Sequence, residues 1–293
     1  MPMADGGDGT LDAFGGANRT TTVTGPLSTA VEADWRLSGG IAVIEMATAS
    51  GLVLAGGPEG NDPIGATTRG TGELLMAAVG RGAKRIIVGL GGSATTDGGL
   101  GAVEVVGTPA RLGGVEVMVA TDVTTTFLDA ASVFGPQKGA TPAQVAFLEA
   151  RLGGVAQRYL DNFGVDVVGA EGSGAAGGLG GGLLALGAEI ISGFELIADE
   201  AGLAEAIADA DLVVTGEGQL DAESFAGKVV GGVADMADEA GVPVLIIAGA
   251  VAPDAPKLGG SVQAVSLTER FGADQAMADP TTLAANVLSD HLA

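Results

Sequence analysis

Residues 85–99 read Arg85-Ile86-Ile87-Val88-Gly89-Leu90-Gly91-Gly92-Ser93-Ala94-Thr95-Thr96-Asp97-Gly98-Gly99. The run 85–90 is short, apolar and β-branched, and it breaks into glycines that open a helix, so a buried parallel strand is expected to feed a crossover helix through a tight loop. Peptide N–H groups at such a helix start attract an anion, and a phosphate is the expected occupant. Similar apolar runs stand at 41–46, 115–121, 211–215, 244–248 and 262–267. Helical patterns lie between them. Thr141-Pro142-Ala143-Gln144 is a capping box with proline at the first helical position, and Val145, Leu148, Leu152, Val155 and Tyr159 then keep one face apolar. Asp279-Pro280 opens a last helix. Strands alternating with helices predict an α/β fold with mostly parallel sheets. The last third reads as doubly wound, and strand 41–46 need not join the same sheet.

A length of 293 residues suits two domains. The 52 glycines occur in a chain that is 47% apolar and only 17% charged, which points to loop chemistry and away from disorder. The net charge of −23 repels a nucleic-acid backbone, so DNA and RNA are not expected partners. No apolar run approaches membrane-spanning length and the start lacks a signal-peptide pattern, so a cytoplasmic protein without a membrane partner is expected. There is no cysteine and one histidine, His291. Thiolate chemistry, disulfides, zinc thiolate sites and Ser-His-Asp catalysis are thereby excluded. The chemistry has to come from carboxylates, lysines, hydroxyls, peptide N–H groups and bound ions.

Four segments could carry it. Asp5-Gly6-Gly7-Asp8 sets two carboxylates among glycines, where N–H groups can approach an anion while the acids hold Mg²⁺ or a substrate hydroxyl. Gly91, Gly92 and Ser93 form the phosphate-loop candidate, with Asp97 as the carboxylate that would orient an attacking hydroxyl. Lys138, in a Gly/Pro loop before the capped helix, and Lys228 are candidate phosphate cations in an acidic chain. Thr215-Gly216-Glu217-Gly218-Gln219-Leu220-Asp221 follows a strand at the end where open α/β sheets bind ligands. Within it Gly216 and Gln219 are candidate nucleotide contacts, and Glu217 and Asp221, with Asp122, are candidate metal ligands. Two weaker fingerprints, Gly89–Ala94 and Gly172–Gly177, leave an NAD-dependent oxidoreductase as the alternative. Gly172–Gly182 fits close backbone packing as well as ligand contact. There is no P-loop, because Gly227-Lys228 is followed by Val229.

Taken in order, ADGGDGT at 4–10, Glu45–Leu52, Thr67–Leu74, GGSATTDGG, VFGPQKGAT, GAAGGLGGGL and TGEGQLD resemble the type I bacterial glycerate kinase family through most of the chain. The resemblance implies ATP-dependent phosphorylation of glycerate with Mg²⁺, with 2-phosphoglycerate the usual product. It also implies a Rossmann-like domain from 1–19 and 198–293, with a second α/β domain, 20–197, inserted. Family members normally begin earlier, with a loop reading like PDSFKGS that this sequence lacks. The segment 107–115 is shorter than usual, Thr124-Thr125-Thr126 replaces an Asn-Pro turn, and Gln219 replaces an arginine. A truncated, non-catalytic relative is therefore a second alternative, and an edge left by a missing strand would favour pairing into a homodimer.

Overall fold

The computed structural model describes residues 1–225, 228–256 and 258–292. The chain forms two compact units, Met1–Ile197 and Ala198–Ala293.

The first unit carries a six-stranded sheet in the order β1 (Arg19–Thr24), β2 (Ala30–Ser38), β3 (Ile41–Glu45), β4 (Arg85–Gly89), β5 (Glu116–Ala120) and β6 (Glu189–Ile191). β1, β2 and β3 pair antiparallel, whereas β3 to β6 are parallel. β3, β4 and β5 are the predicted apolar runs, and Ile44, Ile86, Ile87, Val88 and Val119 are fully buried in them, whereas β6 matches none of those runs. β1 and β2 were not predicted. Their outer faces are polar, with Thr20 donating to Asp34 and Thr22 to Glu32 across the pair. Trp35 of β2 is buried and donates its indole N–H to Thr21 Oγ1 at 2.9 Å.

The helix Pro142–Phe163 forms as its capping box dictates. Thr141 N–H donates to Gln144 Oε1 at 2.8 Å, Gln144 N–H donates to Thr141 Oγ1 at 3.4 Å, and Gly164 ends the helix at φ 72°. Its Leu148, Leu152, Val155 and Tyr159 enter the main core. Residues 1–19, expected with the C-terminal third, lie in the first unit. Leu11 packs there with Val43, Ile87, Ala120 and Leu196.

The second unit has a parallel sheet in the order β7 (Val213–Leu220), β8 (Val244–Val251) and β9 (Val262–Ser266). The helix Val229–Ala240 packs against β7 and β8. Ile247 and Val265 meet Leu267, Ala276 and Val287 of the closing helices. Strands 41–46 and 211–215 thus belong to different sheets, as the sequence suggested. Among the described residues no helix is long and apolar enough to cross a membrane.

Gly172–Gly182 resolves to backbone packing. The helix Ala175–Ala185 contains three left-handed residues, Ala176, Gly177 and Gly178. A Cβ on Gly177 would lie 1.9 Å from the Thr95 carbonyl oxygen. Gly177→Ala should destabilise the protein by about 2–4 kcal/mol, combining left-handed strain with overpacking. Denaturant unfolding measures this, and a loss below about 1 kcal/mol would show that the two segments separate at little cost.

Candidate active site

The carboxyl ends of β3, β4, β5 and β6 lie along one edge of the first sheet, the edge at which open parallel sheets bind ligands. The loop 5–9 sits directly on it. A Cβ at Gly6 would be 2.2 Å from the Ala120 carbonyl oxygen, and one at Gly91 would be 2.5 Å from the Gly7 Cα. Gly91 N–H donates to Gly6 O at 3.3 Å, and Thr10 Oγ1 to Gly7 O at 2.7 Å. Asp5 Oδ1 accepts from Gly7 N–H at 3.1 Å. A Cβ at Gly92 would come within 3.3 Å of Asp8 Oδ1. The structure therefore gathers Asp5, Gly6, Gly7, Asp8, Gly91 and Gly92 into one patch, with Asp8 and Gly92 exposed and Ser93 buried beside them. Ser93 is held by a bridge to Gly51, and Leu52 N–H donates to Gly92 O at 2.8 Å.

Asp122 borders the patch at the end of β5. Its carboxylate caps the helix Gly193–Glu200, accepting from Ser192 Oγ (2.8 Å), Gly193 N–H (3.0 Å) and Phe194 N–H (3.1 Å). Burial pushes its carboxyl up despite these donors, and Asp5 adds to the rise. Both oxygens are already engaged, so capping is the role its contacts describe.

Asp97 lies deeper, 2% exposed. Its Oδ2 accepts from Thr68 N–H and Thr68 Oγ1 at 2.9 Å and from Gly101 N–H at 3.1 Å, while Oδ1 accepts from Gly99 N–H at 3.0 Å. That corrects the expected contact with an attacking hydroxyl: the carboxylate is filled by protein donors and ties the start of helix Leu100–Val106 to Thr68. Lys138 is equally buried, donating Nζ to the Thr95 carbonyl at 2.7 Å, so it braces the glycine loop from behind instead of facing solvent phosphate. Burial lowers its ammonium to about 7, with Asp97 pulling the other way. Asn61, which the sequence reading did not single out, ties the same two loops together by donating to Ala94 O (3.0 Å) and Lys138 O (2.9 Å).

In the second unit the segment 216–220 is part of β7, not a loop after it. Glu217 pairs with Ala248 and Gln219 with Ala250 in the parallel ladder. The glycine at 216 marks close strand packing, since a Cβ there would lie 2.2 Å from Ile247 O. Gln219 is exposed. Glu217 is half-buried, and its Oε1 is shielded from solvent with no hydrogen-bond partner among the described residues. Asp221 Oδ1 accepts from Ser224 N–H at 3.1 Å, a capping contact at the turn 221–224. Lys228 stands at the N-cap of helix Val229–Ala240. Among the described residues no three Asp, Glu or His side chains are gathered as a metal cage.

Glycine loops and carboxylates at the carboxyl edge of a parallel sheet define a small-molecule α/β enzyme, with no cysteine or histidine chemistry. The glycerate kinase family profile matches residues 1–110 and 104–291. A glycerate 2-kinase of Escherichia coli is 41% identical over 87% of this chain and 76% of its own length. A glycerate kinase of Halalkalibacterium halodurans is 42% identical over 86% of this chain and 76% of its own length. A crystal structure of a provisionally assigned glycerate kinase 2 from Salmonella typhimurium LT2 superposes with a TM-score of 0.77 at 36% identity, covering 100% of this chain and 89% of that one. The chain belongs to the glycerate kinase family, and the dinucleotide reading of Gly89–Ala94 gives way to it.

Two predictions follow from the buried pair. Asp97→Asn turns an acceptor-only group into one that presents an N–H₂ to peptide donors, and should cost on the order of 2–4 kcal/mol of stability. Urea unfolding measures it; an unchanged midpoint with turnover abolished would restore the hydroxyl-orienting role. For Lys138, whose folded value of about 7 lies below the unfolded 10.5, the unfolded chain holds more protons between those values, so stability rises with pH across that window. Lys138→Met lacks this term. The stability of wild type minus variant should climb from about pH 7 to pH 10, and a flat difference would mean that the ammonium stays charged.

Proposed function

We propose that this chain transfers the γ-phosphoryl group of ATP to a hydroxyl of glycerate, giving ADP and phosphoglycerate, with the 2-isomer as product and Mg²⁺ as cofactor. The observation that carries the reading is the convergence of three of the family's motifs, ADGGDGT, the segment 45–52 and GGSATTDGG, on one sheet edge in the first unit. Phosphoryl transfer asks little covalent chemistry of a protein and much positioning. The glycine edges at Gly6, Gly7, Gly91 and Gly92 leave backbone open to an anion, and Asp5 and Asp8 offer acceptors for the hydroxyls of a small polyol acid. The hydroxyl oxygen bonds to the γ-phosphorus as the bond to the bridging oxygen breaks, ADP departs, and the hydroxyl proton leaves to a carboxylate or water. Asp97 and Lys138 act from behind as struts of the loop.

Gly216, Gln219 and Lys228 are assigned to the nucleotide. Magnesium takes oxygen ligands, and the partnerless buried Glu217 Oε1 fits that need. Glu217 would hold the ion with Asp221, and the ion when bound supplies positive charge to phosphate oxygens. A cytoplasmic setting and a homodimer complete the reading, the latter checked by light scattering.

Coupled ADP release with D-glycerate, ATP and Mg²⁺, omitting each in turn, tests the activity, and ³¹P NMR tells the 2- from the 3-phosphate. A folded chain that releases no ADP with glycerate overturns the reading, and glycerate-dependent NAD reduction would establish the oxidoreductase. Glu217→Gln should lower kcat about tenfold or more and raise the Mg²⁺ needed for half-maximal rate, with little change in melting temperature. Unchanged magnesium dependence removes Glu217 from the metal site.

A further inference from the structure

Glu45 has no part in the chemistry above, yet it stands where that chemistry is placed. It is the last residue of β3, opposite Gly89 in the parallel ladder, so its side chain leaves the sheet in the row of strand ends on which the loop 5–9 rests. Its Oε1 accepts from Leu11 N–H at 2.8 Å. That amide belongs to the first turn of helix Thr10–Ala13, where backbone donors have no partner within the helix. The N-cap is Gly9, at φ 91°, which has no side chain to satisfy them. Glu45 therefore supplies the acceptor from 34 residues away.

The same turn is fixed a second time by apolar contact, because Leu11 packs with Val43, Ile87, Ala120 and Leu196. A polar tie and an apolar tie on one residue define both where the turn sits and how it is rotated. Upstream of it, with no regular structure between, lie Asp5, Gly6, Gly7 and Asp8. The tie also holds against electrostatic opposition, since Glu45 is half-buried with Asp8 and Asp12 close by, and its carboxyl is pushed up by burial first and by those charges after.

We infer that Glu45 is a positioning residue for the substrate loop: by anchoring Leu11 it sets where Asp5 and Asp8 stand against Gly91, Gly92 and Ser93, and so governs glycerate binding and leaves ATP binding alone. This rests on the kinase reading. The test compares Glu45→Ala, which removes the acceptor, with Glu45→Gln, whose amide oxygen can still accept from Leu11, both in the full chain. Hydrogen exchange over residues 5–13 should quicken about tenfold or more in the alanine variant and stay near wild type in the glutamine variant. KM for glycerate should rise about tenfold for Glu45→Ala, with kcat and KM for ATP within about twofold, and Glu45→Gln should restore it.

Unchanged exchange in Glu45→Ala overturns the anchor. Quickened exchange with unchanged KM for glycerate, or an equal rise in both KM values, overturns its role in substrate placement. A glutamine variant as impaired as the alanine one shows that charge and not the Leu11 bond matters, which also overturns it. If Glu45→Ala does not fold, Glu45→Asp, one methylene too short to reach Leu11 unaided, carries the same comparison. A wild-type chain that neither binds nor phosphorylates glycerate sinks the kinase reading instead, and the exchange measurement still decides the anchor.

Discussion

Two peptide groups reach van der Waals contact only where no Cβ stands between them, and the carboxyl edge of the first sheet is built on that constraint. Gly6 lies against Ala120, Gly91 against Gly7, and Gly193 against Asp5, each at a distance that a methyl group would violate. Behind them Gly177 lies against Thr95 and Gly99 against Gly182 in the same manner. Segments far apart in sequence thereby become one thin layer of backbone whose outer side is peptide edges and two carboxylates. Part of the high glycine content of this chain is the sequence record of that layer, while other glycines, such as Gly164 and Gly241 at the ends of helices, meet no neighbour and serve turns.

Backbone packed on backbone has few side chains to lock it, and the buried polar residues supply the lock. Asp97 draws Thr68, Gly99 and Gly101 together through four donors, and Lys138 pins the Thr95 carbonyl from below. Burying either charge unaided would cost several kcal/mol, on the order expected for an unpaired ion in a protein interior. The charge of Asp97 offsets part of the cost of burying the Lys138 ammonium, pulling against the effect of burial. Such a pair is a poor source of stability and a good source of uniqueness, because few alternative loop arrangements satisfy every donor.

The architecture was legible wherever period and capping agreed. The strands β3, β4, β5, β8 and β9 and the helix 142–163 followed from apolar runs and a capping box. β1 and β2 escaped notice because Thr20, Thr22, Glu32 and Asp34 make their outer face polar, and β6 because it is three residues long. β7 was cut short at Thr215 because glycines at 216 and 218 read as a turn, although the ladder to β8 continues to Leu220. At the site, the glycine patch and its two acids were readable as motifs. The depth of Asp97 and Lys138 was not, since nothing in a string such as TTDGG tells whether its carboxylate faces solvent or three peptide N–H groups and a hydroxyl. Glu45 was hidden for a related reason: its partner lies 34 residues earlier and is a backbone amide, which leaves no residue-type signal.

These placements redistribute the positive charge that the proposed reaction needs. The chain holds four lysines against 36 acidic side chains. Lys138 spends its ammonium on a backbone carbonyl, so on this reading phosphate neutralisation falls to the remaining cations, Lys228 among them, to peptide N–H groups and to a metal ion. Gln219 adds none. On the proposed reading an enzyme so arranged would draw on a divalent ion for charge as well as for geometry, and the Glu217 oxygen that lacks a partner among the described residues is the feature of the second unit that would answer to it. The acidity of the surface then works in the same direction, concentrating cations around a protein whose own supply is small.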